Sequence, residues 1–482
     1  MAISRVTFGE WTPDQPGITN GLQKANNVFS KAVGYGPIPT IVDYSNSASE
    51  NLNNVVAAKT SANLTLLFAG GDTKLFKLDT GNLNLVNVSK SGNYTTLSGD
   101  RWRFTQFGNV VIAANGTSRL QGFNVNSSSL FADLAVDAPE AKFVTVVRDF
   151  VVSGFINSAT IRPNRVQWSA LGDESSWTAS ATTQADFQDI PDGGTVVGVT
   201  GGEFGLVLMD RSIHRMSYVG SPLVFQFDNI SRNLGCYEAN SVIQYGGTTF
   251  FLADDGFYAC DGQQVIPIGN EKVNRFFFDN VDEGTLSLMS AAVDPAKKLI
   301  IWAYASNNSS TADSLLIYNF LTQRWTSGTT TIDRIASTST PAVTLEGLDV
   351  YGNVDTILTS FDSRLWLGGK LQLAGVNEGK IVTFTGANST ATIETGDIEV
   401  PGTTSAITMA KPIVDNGSGN VALLSRRLLN ESVSFGAQVT ADAENRVSIR
   451  GVGRYHRLQL TPTGNWTSVV GTDIDLNGLG TR

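Results

Sequence analysis

Charge is scarce in this chain of 482 residues: Asp, Glu, Lys and Arg make up 16%, against about 25% in an average soluble domain. The shortfall is filled by Ser, Thr, Asn and Gly, since apolar residues stand near normal at 41%, too many for a disordered chain. What charge there is leans acidic, with 34 Lys and Arg against 44 Asp and Glu for a net charge of −10. That balance argues against a protein that grips nucleic acid by neutralising phosphates, though not against a surface that DNA slides past. Two cysteines, Cys236 and Cys260, cannot build a disulfide framework in a chain of this length; they are either one bridge or, the simpler reading, two free buried thiols. Two histidines, His214 and His456, leave little room for imidazole chemistry. No apolar run approaches 18 residues, so no membrane span is expected. The opening MAISRVTFGEW lacks a basic stretch followed by an apolar one, so no secretion signal is expected. These absences describe a soluble protein made in a reducing compartment and kept or assembled there.

Helix signals are also rare. Apolar residues come in short runs or strict alternation, broken about every ten residues by Gly, Asn, Asp or Ser, which is an all-β pattern. Runs such as FGLVLM at 204–209, TFFL at 249–252 and KLIIWAY at 298–304 are apolar on both faces, as in strands sandwiched between neighbouring sheets. One element recurs: a strand, a turn with Asp, Asn or Gly, an apolar residue, then an aromatic. Its instances place Leu75, Leu120, Val166, Ile213, Phe257, Leu315 and Leu365 at separations of 45, 46, 47, 44, 58 and 50 residues. A period near 45 with several short strands per unit matches the four-stranded blades of a β-propeller, here of six to seven blades.

Two flanks fall outside the repeat. Residues 1–45 carry Pro13, Pro16, Pro37 and Pro39 and read as an extended N-terminal arm wrapped on something, with closing the ring as one role open to it. The propeller is expected over 46–385. GANST at 386–390 reads as a linker, and 386–482 as a C-terminal β-sandwich-like module with strand patterns near 433–435, 447–449, 455–460 and 466–470.

Candidate chemistry is thin. His214 and His456 sit in strand-like runs with no nucleophile elbow or papain-like context, so core or strand-surface histidines explain them better than a catalytic base. Cys236 and Cys260 lie 24 residues apart with no CxxC, and no HxH or HExxH occurs, so no zinc site is expected. Asp279, Asp282 and Glu283 offer oxygen ligands for calcium but lack the glycine and alternation of an EF-hand; a solvated acidic loop is the plainer reading. SALGDESSW at 169–177 and SFDSRLW at 360–366 share letters with the repeated turns of sialidase propellers without their order, and read as blade turns whose Trp packs inward. TGGEFG at 200–205 and Gly451-Val452-Gly453 read as turns, not phosphate loops. Arg426, Arg427, Arg446, Arg450, Arg454 and Arg457 make the C-terminal module locally basic, either as a solvated face or as a contact for an acidic partner. No catalytic, cofactor-binding or metal residues are assigned.

Three stretches taken together resemble one family. They are Phe8-Gly-Glu-Trp-Thr-Pro-Asp-Gln-Pro16 with KANNVF at 24–29 and Gly34-Tyr-Gly-Pro37; the ordered series from Trp168 to Trp325, including WSALGDESSW, SYVG at 217–220, DGFY at 255–258, IPIG at 266–269 and AAVDP at 291–295; and Arg454-Tyr-His-Arg-Leu458 with Trp466. This series is similar to the packaged-DNA stabilisation proteins of short-tailed bacteriophages, also called tail hub or nozzle proteins. The match is most specific over 168–325, and nothing is carried over at 40–140 or 390–445.

The resemblance implies a virion structural protein, not an enzyme. Six copies would form a ring below the portal and the head-to-tail adaptor, near needle, tip or fibre proteins, retaining the packaged genome and conducting it at ejection. It implies no cofactor and no metal, a place in the virion tail, and assembly in the bacterial host cytoplasm. An acidic or neutral-polar lumen would let DNA pass without sequence-specific binding. The alternative from another class is a glycan-binding or glycan-degrading propeller, a host-surface lectin or depolymerase, which would need an acidic cleft or an aromatic-lined groove.

Overall fold

The computed structural model describes residues 3–18, 21–96, 99–343 and 364–480. Among them the chain is an all-β propeller joined to a β-sandwich. Seven antiparallel four-stranded meanders follow one another, at 52–87, 103–133, 141–189, 196–231, 243–267, 290–332 and 334–383, the last completed by Val42–Asp43. The first strand of each blade lies innermost, and the ring closes where Arg334–Ser339 of blade seven packs on Leu52–Lys59 of blade one. Second strands such as Gly205–Met209 and Leu299–Tyr304 are buried along their whole length, because a blade presses on a neighbour with each face.

The repeat read from the sequence marks one point in each blade. Leu75, Val166, Ile213, Phe257 and Leu315 lie in the third strands of blades one, three, four, five and six, and Leu120 immediately precedes that of blade two. All six side chains are buried, since each wedges between blades. The long step before Leu315 holds the helix Asn274–Asn280 and the 3-10 segment Glu283–Leu288, inserted between blades five and six. Leu365 is a correction: it falls in a 3-10 turn, Arg364–Leu367, and not in a strand. The third strand of blade seven is Lys380–Thr383, with Ile381 buried in its place. An excursion between Arg334–Ser339 and Leu371–Asn377 delays the repeat there, and DSRLW copies its letters without the strand that should follow. Residues 344–363, including the first four of SFDSRLW, lie outside the described residues.

Adjacent blades are tied by side chains that imitate a strand's peptide group. The Gln106 amide accepts from Lys59 N–H at 2.9 Å and donates to Lys59 C=O at 2.7 Å. Gln244 does the same to Gly201, at 3.2 and 2.6 Å. A backbone N–H and C=O left open at a strand end are satisfied in this way.

The N-terminal segment is distributed among the modules as short strands. Ile3–Thr7 pairs with residues 471–475 of the sandwich, Leu22–Asn26 with Thr392–Thr395, and Val42–Asp43 with Val382 and Thr383 of blade seven. Between them, Trp11 is buried edge-on against Phe276. The Asp14 carboxylate accepts the N–H groups of Arg275 and Phe276 at 3.0 and 2.8 Å. It thereby caps a helix whose own preceding residue, Val273, offers no side-chain cap.

The sandwich packs two sheets. One runs Leu22–Asn26, Thr392–Thr395, Tyr455–Thr463, Ser418–Arg426, Val439–Thr440, and it continues blade six through a parallel contact of Asn26 with Ser327. The other runs Val28–Ser30, Tyr35–Pro37, Ser468–Gly480, Thr404–Asp415, Val447–Gly453. Ile393, Val421 and Leu460 of the first share a single core with Ile407, Val447 and Ile474 of the second, and with Trp302 and Trp325 of blade six. GANST is pinned, with Gly386 N–H donating to Thr40 C=O and Asn388 Nδ2 to Trp466 C=O.

Asn27 sits where arm, sandwich and blade six meet. It is buried and left-handed at φ 59°, donates to Thr390 C=O at 2.9 Å, and accepts from Thr329 N–H at 2.8 Å. Asn27→Ala should lower unfolding stability by roughly 2–4 kcal/mol, from orphaned buried groups and the left-handed backbone. Asn27→Gly, which keeps the backbone freedom, should lose less. Urea unfolding followed by Trp fluorescence measures both, and equal losses would refute the backbone share.

Candidate functional site at the propeller axis

The first strands of five blades surround a cavity of about 210 Å³, lined by Asn54, Val55 and Val56 of blade one, Arg101 and Phe104 of blade two, Ile243, Ala291, and Ile335, Ala336 and Ser337 of blade seven. The lining places it on the ring's axis. Charged residues crowd beside it where the chain enters these strands. The Arg103 guanidinium meets Asp100 at 2.6 Å, lies over the Phe143 ring, and donates to Asn240 Oδ1 at 3.1 Å. Asn240 in turn donates to Ser287 C=O at 2.9 Å. Segments leading into blades two, five and six are thus bonded across the axis.

Burial decides the electrostatics here. Desolvation pushes Arg101 down to about 9, helped by the like charges of Arg103 and Arg334, so it remains a cation at neutral pH. Burial also lowers Arg334. It raises the Glu238 carboxyl despite the Asn240 N–H and the three arginines nearby. Burial works against ionised Asp100 as well, but Arg103 and Lys142 outweigh it and hold that carboxyl low. Arg101 Nε is buried with no hydrogen-bond partner, and no carboxylate of the described residues forms an ion pair with the Arg101 guanidinium.

Sequence reasoning did not single out this cluster. A signal was present: Arg101 and Glu238 each stand 19 residues before their blade's anchor, Leu120 and Phe257. At the other four anchors that phase holds Val56, Val147, Gly194 and Ala296, so the charge marks only blades two and five.

The residues singled out from the sequence lie apart from one another. His214 is buried in blade four, with Nε2 2.9 Å from Ser212 Oγ. His456 is fully buried in the sandwich and links its sheets: Nε2 is 3.0 Å from Ser405 Oγ, and Nδ1 is 2.8 Å from Ser425 Oγ. Burial lowers both imidazoles, and for His456 it outweighs hydrogen bonds that raise it. Cys236 and Cys260 are free and buried in one cluster between blades four and five. Burial pushes the Cys236 thiol up to about 12 and raises Cys260 as well. Asp282 accepts from Gly284 N–H at 2.9 Å as a local cap, and among the described residues no three His, Cys, Asp or Glu gather as a metal site. Trp177 of SALGDESSW is buried, its N–H donating to Asp137 at 3.0 Å. Gly201 and Gly202 lie at the junction of blades three and four, and Gly451 and Gly453 in the strand Val447–Gly453.

The basic C-terminal set proves largely compensated. Asp397 is bonded by Arg457 at 2.9 Å and Arg426 at 2.6 Å, all three side chains being almost wholly buried. Arg457 also meets Glu394 at 3.3 Å, Arg454 meets Glu399 at 3.7 Å, and Arg446 meets Glu444 at 3.9 Å.

No family model matches the chain, and no curated protein matches it. Among solved structures, it is similar to the extracellular domain of the hybrid two component system BT4673 from B. thetaiotaomicron, at 11% identity and TM-score 0.43, over 85% of this chain and 47% of that one. The chain thus spans about half the length of that neighbour. The WD40 domain of Neurospora crassa Pan2 aligns at 6% identity and TM-score 0.40, over 74% of this chain and 97% of that one. The computationally designed Ika8 protein aligns at 11% identity and TM-score 0.37, over 78% and 100%.

Two outcomes are expected from the buried groups. Because His214 and His456 are lowered from 6.5 in the fold, the unfolded chain binds their protons first. Their stabilising contribution is whole above about pH 6.5 and is lost as pH falls below it. Melting temperature should therefore drop from pH 7 to pH 5, and His456→Gln should flatten part of that slope; an unchanged slope would remove His456 from the account. Cys236 and Cys260 should resist a thiol reagent at pH 8 in the folded protein and both react in 6 M guanidinium, since the thiolate is the reactive form.

Proposed function

We propose that this chain is a structural ring subunit of a short-tailed phage tail, a hub or nozzle that continues the genome channel below portal and adaptor. The support begins with the ordered sequence resemblance. The observation that carries the reading is the docking of its opening motif. Within Phe8–Pro16, Phe8 and Trp11 enter the core, Glu10 pairs with Lys272 at 2.7 Å, and Asp14 caps the helix Asn274–Asn280. Those residues serve to lock arm, propeller and sandwich into one body, which is what a load-carrying ring subunit requires. The reading assigns six copies, an adaptor ring above, DNA passing without sequence-specific contact, and no catalysis.

A glycan-degrading propeller would need two free carboxylates facing one groove. The groove between blades two and three is about 570 Å³ and is lined by Asp137, Glu140, Arg119 and Arg162. Asp137, however, is engaged by Trp177 N–H at 3.0 Å and by the Thr178 N–H and hydroxyl at 2.8 and 2.7 Å. Glu140 is left as the groove's one other carboxylate.

Cryo-electron microscopy of intact virions decides between these readings. Six copies on the tail axis beneath the adaptor are expected. A peripheral position, or absence from the particle, would discard the hub and bring the glycan-active propeller forward. That alternative would then have to show sugar release from host polysaccharide, lost in Glu140→Gln.

A further inference from the structure

An isolated buried cation is among the costliest features a fold can hold. Buried unpaired groups in a native structure call for a specific explanation. Arg101 is such a group: nine-tenths buried, its Nε without a partner, and its side chain lining the axial cavity. Glu238 and Asp100 favour its charge through space, but neither forms an ion pair with it. Asp100 is held by Arg103 and Lys142, and Glu238 accepts Asn240 N–H at 2.9 Å.

Most of the other lining side chains are apolar, although backbone and polar groups supply the larger share of the surface the cavity exposes. Val56, Phe104 and Ile243 are only partly buried and line it, as does the buried Ile335. The polar Asn54 is occupied, its amide donating to Trp102 C=O at 2.8 Å.

A guanidinium presents a planar fork that matches a carboxylate with two parallel hydrogen bonds, while an apolar wall rewards a ligand with a hydrocarbon body. The geometry points to the axial cavity as a binding site for a small organic carboxylate, its carboxylate on Arg101 and its aliphatic body against Val56, Phe104 and Ile243. The ligand neutralises the unpaired charge and fills the axis, joining blades one, two, five and seven through a shared guest. The site is independent of any role in a tail.

Isothermal titration of the full-length protein with butyrate tests this, with 1-butanol and inorganic phosphate as separate titrants. Butyrate is expected to bind saturably to the wild type and to Arg232→Met, an exposed arginine after blade four. It should bind Arg101→Met at least about tenfold more weakly, the loss of a charged hydrogen-bonded pair. No saturable binding to the wild type, or equal affinity for Arg101→Met, would overturn the site. Equal affinity for 1-butanol would overturn the role of the carboxylate, and equal affinity for phosphate would overturn that of the apolar wall. If Arg101→Met does not fold, the three titrants on the wild type still decide the question.

Discussion

A ring of blades must join its last sheet to its first, and here everything else depends on how that closure is made. Blade seven has three strands of its own, and Val42–Asp43, from the other end of the sequence, supplies the fourth. Lys380 reaches back to Asp43 at 2.5 Å, Tyr44 N–H donates to Ile381 C=O, and Ser45 Oγ accepts Ile381 N–H. To deliver that short strand the arm must first cross from the sandwich. On the way it lays Leu22–Asn26 between blade six and Thr392–Thr395. The sandwich is therefore built into the propeller's closure. A sheet edge left open there would be an exposed hydrogen-bonding template.

The unusual composition follows from the same architecture. A blade has both faces covered, so its turns bring backbone N–H groups into the interior where neither water nor a ladder reaches them. Short hydroxyl side chains solve this repeatedly. Ser89 accepts from Leu75 N–H, Ser169 from Val151, Ser241 from Leu252, and Ser45 from Ile381, each within 3.1 Å. At the junction of blades six and seven, Ser290 and Ser337 accept from Ile335 and Val293. Long charged side chains would not fit such places. A chain rich in Ser, Thr and Asn but poor in charge is what close-packed blades demand.

The same reasoning explains what could be read in advance. Six of the repeat's anchors were legible because Leu75, Leu120, Val166, Ile213, Phe257 and Leu315 obey a local rule, an apolar residue just after a tight turn, and the ring enforces it at each blade. Leu365 misled because the rule is local and the excursion before Leu371–Asn377 is not. The strands of the arm were illegible for a different reason. Their partners are hundreds of residues away, as Ile3 opposite Asp475 shows, and no periodicity encodes such a pairing. Charge misled in the sandwich, where Arg426 and Arg457 count as a basic patch along the sequence but converge on Asp397 in space. The axial arginines were hidden likewise, since Arg101, Arg103 and Arg334 meet only once the ring is closed.

Where the charge goes has a consequence for the outer surface. The interior takes five arginines, Arg101, Arg103, Arg334, Arg426 and Arg457, together with six carboxylates, Asp100, Glu238, Asp294, Glu394, Asp397 and Asp475. The buried charges of the two signs thus nearly cancel, and nearly all of the net balance of −10 falls on the solvent-facing shell. Arginine is the side chain that binds phosphate in two-point fashion, and the five held inside are withdrawn from a polyanion, while the other sixteen of the chain's arginines lie outside that set. The chain presents a polar exterior of negative balance wherever its surface remains open. Any sequence-independent attraction for DNA would then have to come from the exposed Lys and Arg that remain, each diluted by neighbouring carboxylates and screened by salt.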